Sequence, residues 1–593
     1  MVHLSEGSRR LDIRVTSPET QQALVQSAAR YNDVYFVRLP TPHLDAMSIP
    51  LDGVGTMISS ITDQLGDQAT LIVFGEAVDL VHVHQAVESH LRFHLWIAVK
   101  REPLIDNERS AALKHQHVGA LVYTKYDGQL HHTKTRLEYS YCPACQKTTK
   151  DYGGKKHTYH PYGTLISDVW RDISVNPEGD LSPVLERFAD LFGIEQYHEL
   201  HVCDLRRLLH SRRSVSKLLV ENTSAPLHLE SRLLHGDVLS ELKALPDNSI
   251  DFAFVDPPYN LKKHYLGYAD DLKISDYFTW CDAWISEVAR VLRPGATFAL
   301  LNIPLWAVRH FLHMGTILTY QNWIVWDALS FPVRMIMPAH YTILCFSKGI
   351  PRPLPGLTGA SVDDEIFQRS SSFRSLTPLG EGYCLRSQCL AKRARIGMDD
   401  RGILSDIWWD VHRLKHNSRR VDHPCQLPPQ LMYRLISLFT RPGEIVLDCF
   451  NGAGTTTLAA HQLGRRYIGI EREERYFQMA TERHAEIDEG IDPFRKADRV
   501  LTTKNSPVAR LKKQKYKVSK KTLQLEVRRV AQMIGHLPSR KEMIEHGDYS
   551  IHYYDDYFTS WGEVCAAART SGMTETREET EYPEGTYSQK RLF

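Results

Sequence analysis

Short apolar runs that stop abruptly at an acidic or glycine-rich turn recur along this 593-residue chain. Ile250-Asp251-Phe252-Ala253-Phe254-Val255 is one, Glu444-Ile445-Val446-Leu447 a second and Tyr467-Ile468-Gly469-Ile470 a third. Each is strand-length, and each is bounded by residues that favour turns, so all three are predicted as buried strands. The stretch from Pro429 to Phe439, and the one from Thr455 on, carry apolar residues at helical spacing between them. Strands alternating with helices predict an α/β fold.

The same pattern is written twice. Asp33 to Thr41 aligns with Asp251 to Tyr259, Ala69 to Val73 with Ala296 to Leu300, and Trp96-Ile97 with Trp323-Ile324. His117 to Lys125 aligns with His340 to Lys348, Ser167 to Ile173 with Ser405 to Val411, and Pro183 to Phe192 with Pro429 to Phe439 with one gap. Six segments in one order predict two copies of one fold.

Where the second copy has Asp256-Pro257-Pro258-Tyr259, the chemistry changes. The two prolines fix the backbone and cannot donate a hydrogen bond. The carboxylate of Asp256 and the carbonyl of Pro257 then offer only acceptors to an amine, and Tyr259 offers a ring to stack on. Such a group suits a flat amino-bearing ring, although a strand-ending turn alone has the same composition. The other copy reads Arg38, Leu39 and Thr41 at the corresponding places, a cation for the acceptor and no ring.

A second motif narrows the choice. Asp448-Cys449-Phe450-Asn451-Gly452-Ala453-Gly454-Thr455 reads as a strand end, a glycine turn and a helix start, with Glu471 at the end of the next strand. Glycines allow close backbone approach to a ligand, and an acid about 20 positions on suits ribose hydroxyls. After Phe192 the first copy runs from His198 to Arg207 with no such glycine turn, which predicts no cofactor there.

These residues resemble the beta group of S-adenosylmethionine-dependent DNA amino-methyltransferases, the adenine-N6 and cytosine-N4 type, in which the catalytic box precedes the glycine loop. His235-Gly236-Asp237 and His423-Pro424-Cys425-Gln426 fall where that family has its lead-in and its pre-loop segment, so the resemblance covers about residues 228 to 490. It implies two Rossmann-like methyltransferase folds, the first degenerate, the second active with circularly permuted motif order. It implies catalytic roles for Asp256, Pro257, Pro258 and Tyr259. Cofactor contacts are implied for Asp237, Asp448, Phe450, Asn451, Gly452, Gly454, Thr455, Glu471, His423 and Gln426. It further implies a flipped base in duplex DNA as substrate, adenine ahead of cytosine because cytosine-N4 enzymes often carry serine at the position of Asp256. Because beta-group enzymes commonly work as homodimers, an inactive first copy implies an intramolecular pseudo-dimer that needs no second chain. An RNA base as substrate, and a non-catalytic DNA-binding subunit of a restriction or defence complex, stay open.

Composition adds limits. Lys plus Arg is 72 against 71 Asp plus Glu, so binding to nucleic acid requires local patches rather than overall charge. The start Met1-Val2-His3-Leu4-Ser5-Glu6 does not read as a signal peptide, and the stretch Ile317 to Met337 is broken by Gln321, Asn322, Asp327 and Arg334. No membrane span is expected, and ten cysteines in this length suit a reducing, cytoplasmic setting, to which the resemblance adds association with the nucleoid. Cys142-Pro-Ala-Cys145 followed by His157 and His160 has ligand spacing close to a zinc knuckle, so zinc is a candidate; Cys384 and Cys389 lack histidine partners.

Residues 350 to 420 mix cations with aromatics and stand where the family has its target-recognition region. Arg386, Arg393 and Arg395 are candidate DNA contacts there, with Asn260 beside the catalytic box. Lys512 and Lys513 belong to a basic linker, and Arg540 to a helical segment that resembles the small repeat appended to some homing endonucleases. The expected organisation is therefore a degenerate copy (1-222), a catalytic domain (228-497), a linker (498-521), a small α-helical DNA-binding repeat (522-575) and a tail (576-593).

Overall fold

The computed structural model describes residues 13–16, 34–41, 53–63, 65–102, 111–148, 151, 160, 163–194, 200–206, 229–260, 264–265, 268–269, 272–328, 336–358, 376, 378, 382–398, 402–412, 426–494, 520–558 and 560–566. His157, His423, Lys512 and Lys513 lie outside them. The chain divides into two compact units, one holding residues 1–414 and 423–494, the other residues 415–422 and 495–591.

The larger unit contains two open sheets. The first is built from β1 (Ile13–Thr16), β2 (Val34–Arg38), β3 (Thr70–Gly75), β4 (Leu91–Arg101) and β5 (His117–Lys125). Two small ladders follow, from β6 (Arg136–Leu137), β7 (Tyr141–Cys142), β8 (Lys147–Thr148) and β9 (Thr164–Leu165), before β10 (Val169–Val175) and β11 (Leu200–Asp204) return to the sheet. The second takes β12 (Arg232–His235) and β13 (Ile250–Val255), then, after the hairpin β14 (His264–Tyr265) and β15 (Tyr268–Ala269), β16 (Leu292–Asn302), β17 (Thr319–Asp327) and β18 (His340–Ser347). It is completed by β19 (Ile407–Trp408), β20 (Ile445–Asp448) and β21 (Arg466–Glu471).

The spatial orders are β1-β11-β2-β3-β5-β4-β10 and β12-β21-β20-β13-β16-β18-β17-β19. From β11 to β10 and from β20 to β19 the neighbours run parallel, parallel, antiparallel, antiparallel, parallel in both sheets. Even the irregularities coincide, with a register shift at Phe93/Leu95 in β4 and another at Tyr320/Asn322 in β17, three and one residues before Trp96 and Trp323.

Burial explains why these segments are strands. β2, β3 and β13 are buried at every residue, which an apolar run achieves only between two covering layers. Asp251 is the exception inside β13, and it is answered: Arg293 donates to its Oδ1 and the Ile445 N–H to its Oδ2 at 2.8 Å. A buried carboxylate costs little once both oxygens are occupied in this way.

Another arrangement occurs twice. Trp170 donates its indole N–H to the Ser167 carbonyl at 2.9 Å, and Trp408 does the same to Ser405 at 2.8 Å. Arg187 lies 5.3 Å over the Trp170 ring and pairs with Asp172, while Arg434 lies 5.2 Å over Trp408 and pairs with Asp410. In each half an arginine from the following helix (Ser182–Phe192, Pro429–Phe439) clamps a tryptophan from the strand.

The two halves meet across a reciprocal seam. Trp96 and Trp323 stack at 4.8 Å. Ser167 bridges to Met337 and Ser405 to Lys114. Asp168 accepts the N–H groups of Ala339 (2.7 Å) and His340 (2.9 Å), and Asp406 accepts that of Gln116 (2.9 Å). Residue i touching j′ while i′ touches j is the signature of an isologous contact.

In the smaller unit the helices Lys520–Ile534, Arg540–His546, Ile551–Tyr557 and Trp561–Ala566 enclose Leu523, Val527, Val530, Leu537, Met543, Tyr554 and Phe558. Ser539 and Glu542 form a reciprocal capping box at the second helix, as Ser-x-x-Glu predicts. Among the described residues no helix is long and apolar enough to cross a membrane.

Candidate active site at the ends of four parallel strands

The strands β12, β21, β20 and β13 are parallel neighbours, and each ends in or beside an acid: Asp237, Glu471, Asp448 and Asp256. Carboxyl ends of parallel strands are where open α/β sheets hold ligands, because helices cannot cover the crevice there. Three of the four carboxylates sense one another. Burial pushes the Asp448 carboxyl up to about 7, and the charges of Asp256 and Glu471 push the same way against hydrogen bonds from Thr456 and the Phe450 N–H. Burial also raises Glu471, against the N–H groups of Glu473 and Gly452.

The Asp256–Tyr259 box leaves β13 as a braced loop. The Tyr277 hydroxyl donates to the Pro258 carbonyl and the Trp306 indole to the Tyr259 carbonyl, both at 2.8 Å. Each bond ties the loop to a helix, Ile274–Val291 or Pro304–Ile317, and neither was foreseen from the sequence, which carries no signal for such distant partners. The Tyr259 hydroxyl donates to Asp256 Oδ1 at 2.8 Å. Its ring, 6 % exposed, packs with Ile303 and Trp306. Asn260 follows in the left-handed region (φ 55°) with its amide donating to the Leu272 carbonyl at 2.8 Å.

The glycine turn is held from the next strand. Gly452 N–H donates to Glu471 Oε2 at 2.7 Å and Glu473 N–H to Oε1 at 2.8 Å. A carboxylate has about four acceptor sites, so Glu471 keeps capacity for a hydroxyl group. The Asn451 N–H donates to the Ile470 carbonyl at 2.9 Å, and its side chain accepts from Thr457 at 2.9 Å. Gly454 has φ +86°, and a Cβ there would meet that of Ala480 at 3.1 Å. A glycine is required on both counts. Thr455 opens the helix Thr455–Gln462, and Phe450 turns its ring edge-on to Trp280 and Trp284.

Asp237 is exposed and caps the helix Val238–Ala244, accepting from Leu239 and Ser240 N–H at 3.1 and 3.3 Å. Gln426, half-buried, begins the segment leading to the helix Pro429–Phe439.

In the first half the corresponding strand end is closed by its own chain. Arg38, buried, donates through Nε and Nη2 to the Pro177 carbonyl (3.1 and 2.5 Å) and through Nη2 to that of Gly179 (2.7 Å). Thr41 N–H and hydroxyl both donate to Glu178, at 2.5 and 2.8 Å. Strand register places Val202 of β11 where Asp448 stands in β20, since Leu200 pairs with Val34 and Val446 with Phe252.

Two expectations change. Among the described residues Cys142 and Cys145 gather with Cys384 and Cys389, the four sulfurs lying within 4.8 Å of one another, while His160 is exposed and outside the group. Arg393, expected at DNA, is 1 % exposed and donates to the Cys384 carbonyl and Cys389 Sγ, both at 3.0 Å. Its guanidinium is occupied by the fold, whereas Arg395 and Arg540 are exposed and Arg386 half-buried.

Residues 250–482 match the DNA methylase family, and residues 518–568 match the homing endonuclease associated repeat. This segment is similar to DNA methylases. The type II methyltransferase M.BamHI of Bacillus amyloliquefaciens is 32% identical over 250 residues, 40% of this chain and 54% of that protein. M.HpaI of Haemophilus parainfluenzae is 28% identical over 272 residues, covering 44% and 77%. The DNA adenine methyltransferase YhdJ of Escherichia coli K12 is 28% identical over 260 residues, covering 42% and 81%. The chain thus spans about half the length of the first of these relatives. Among solved structures, the cytosine-N4-specific PvuII DNA methyltransferase is 16% identical, covers 46% of this chain and 95% of its own, and has a TM-score of 0.30.

Proposed function

We propose that this protein transfers a methyl group from S-adenosylmethionine to the exocyclic amine of a base in double-stranded DNA, adenine N6 ahead of cytosine N4. The observation that carries the reading is the convergence of Asp256, Asp448 and Glu471 at neighbouring strand ends beside a glycine turn. The match of residues 250–482 to DNA methylases supports it.

The residues fit the cofactor chemically. Glu471 retains acceptor capacity for a ribose hydroxyl, and clustered carboxylates suit a ligand carrying positive charge. When bound, S-adenosylmethionine supplies an electrophilic methyl on a sulfonium. Asp256 and the Pro257 carbonyl accept the two N–H groups of the target amine, which leaves its lone pair directed away from the ring. Asp256 would also stand where it can take the proton that the amine must lose on methylation, or hand it to water. Tyr259 orients the Asp256 carboxylate through its hydroxyl and offers a ring to a base flipped out of the duplex. The bracing by Tyr277 and Trp306 keeps this loop from relaxing, and placement of that kind supplies much of a transfer rate.

The first half is, on this reading, a covalently attached pseudo-partner. Matching strand order, matching tryptophan clamps and a reciprocal seam support that, and Arg38 in place of Asp256 accounts for its silence. The repeat at 518–568 and the exposed cations Arg395 and Arg540 are assigned to DNA.

Tritium-labelled methyl transfer to DNA, followed by nucleoside analysis, tests the function. N6-methyladenine is expected, and N4-methylcytosine would overturn only the choice of base. Transfer that survives Asp256→Ala at the wild-type rate would sink the mechanism.

A further inference from the structure

Far from the strand-end acids, four thiols from distant parts of the chain converge. Cys142 and Cys145 come from the β7–β8 hairpin; Cys384 and Cys389 lie just before and within the helix Ser387–Arg395. Cys142 Sγ lies 3.7 Å from Cys389 Sγ, and Cys145 Sγ lies 3.7 Å from Cys384 Sγ. A disulfide would bring two sulfurs to about 2.05 Å. By contrast, four thiolates about 2.3 Å from a zinc ion at a tetrahedral centre are separated by about 3.8 Å along each edge. The two 3.7 Å separations match edges of that tetrahedron, and all four sulfurs lie within 4.8 Å of one another.

The surroundings are built for it. Arg393 places its guanidinium 3.0 Å from Cys389 Sγ, and Lys392 Nζ reaches the Ala144 carbonyl at 3.0 Å. The hairpin turn is closed by Gln146, a non-glycine residue at φ 53°, whose N–H donates to the Cys142 carbonyl at 2.8 Å. Such backbone strain persists only where the surroundings hold it. No residue of 141–148 or 382–398 joins a hydrophobic core cluster among the described residues. The hairpin and the helix thus meet outside the core clusters, and a structural metal holds small elements of this kind together.

We infer that Cys142, Cys145, Cys384 and Cys389 form a closed four-thiolate site for a structural zinc ion that pins the first half of the chain to the region between β18 and β20. All four positions are protein ligands, which leaves no open coordination site for catalysis. This inference is independent of methyl transfer.

The test uses the full chain purified under reducing conditions without chelator. Elemental analysis should find about one zinc per chain, as a closed site with four protein ligands requires. Mercurial titration of the thiols should release that zinc in step. Cys145→Ser and Cys384→Ser should each lower the zinc content severalfold, while Cys281→Ser, at a buried cysteine elsewhere, should keep it. If a variant fails to fold, cobalt loading of the wild-type chain serves instead, with the absorption of tetrahedral thiolate coordination expected. A metal-free chain with four freely titrating thiols, an iron chromophore, or Cys142–Cys389 and Cys145–Cys384 disulfides would each overturn the assignment. Methylation measured on the same preparations distinguishes failure here from failure of the proposed activity.

Discussion

The ends of β2 and β13 occupy the same place in two sheets of the same order, yet one is filled and the other is open chemistry. At β2 the guanidinium of Arg38 is spent on the carbonyls of Pro177 and Gly179, and the loop it grips covers the crevice. At β13 a carboxylate stands beside two others; burial first, and then the charges of Asp256 and Glu471, raise Asp448 to about 7. A strand end without a ligand can be stabilised by closing it with its own backbone. On the proposed function, the end of β13 keeps its clustered carboxylates for a ligand. Clustered carboxylates with one raised well above the ordinary range mark the end of β13, whereas the end of β2 sets its cation on backbone carbonyls.

The sharpest way to break this comparison is to exchange the key residues. Asp256→Ala is expected to lower labelled-methyl transfer by about 10²–10⁴-fold. Adding Arg38→Asp to that variant should restore nothing, because Val202 and the Pro177–Gly179 loop still occupy the site; restored transfer would show that the first half had kept a latent pocket.

The seam offers a second comparison between equivalent aspartates. Burial works against the charge of Asp406, but His117 and His115 beside it hold its carboxyl well below the usual range. Burial likewise disfavours protonated His115, yet Glu76 and Asp406, each 2.7 Å away, push it up to about 10. Asp168, with backbone N–H donors and no cation, is pushed up to about 7 by burial. Asp406→Asn should therefore cost about 3–5 kcal/mol in urea unfolding, as breaking one partner of a buried pair does. Asp168→Asn should cost under about 1 kcal/mol, since its Oδ1 can still accept both N–H groups. Equal costs would refute the distinction. The signs differ with pH as well. The raised His115 contributes stability below its unfolded value near 6.5, lost as pH rises through about 10. The raised Asp168 instead costs stability progressively as pH rises from the ordinary carboxylate range to about 7.

Cofactor binding should carry a pH dependence confined to the second half. A cationic ligand favours ionised Asp448, so affinity for S-adenosylmethionine should rise with pH up to about 7 and then level, by at most about tenfold per unit. Calorimetric titration at several pH values reads this, and Asp448→Asn should flatten the profile. A slope that persists in that variant would assign the proton elsewhere. The smallest effect concerns what the halves share. Trp170→Phe and Trp408→Phe each remove one indole hydrogen bond and should each cost about 1 kcal/mol in thermal unfolding. Unequal losses would mean that the matching clamps do different work.

Local patterns were readable in proportion to how local their physics is. The strand runs at β13, β20 and β21 and the glycine turn were all expected from residues within a few positions of one another, and all form. The thiol cluster was half legible. Cys142 and Cys145 announced themselves by spacing, but Cys384 is 239 positions from its neighbour Cys145, and no local signal pairs them. Arg393 looked like one cation among many in a basic stretch; only packing shows that Cys389 and Tyr383 surround it. Tyr277 and Trp306 were illegible as braces for the catalytic loop because aromatic residues on a helix read first as core.

What the sequence by itself determined is the chemistry available at each strand end: acids and glycines in one half, Arg38 and Val202 in the other. Residue type and order suffice for that, since they set which groups can donate, accept or turn. What only the tertiary structure decided is how those groups are paid in contacts. Glu471 grips Gly452, Arg38 closes its own crevice, and four cysteines from two halves meet within 4.8 Å of one another. These outcomes depend on which distant segments the two sheets bring side by side, and distance along the chain carries no information about that until the strands have paired.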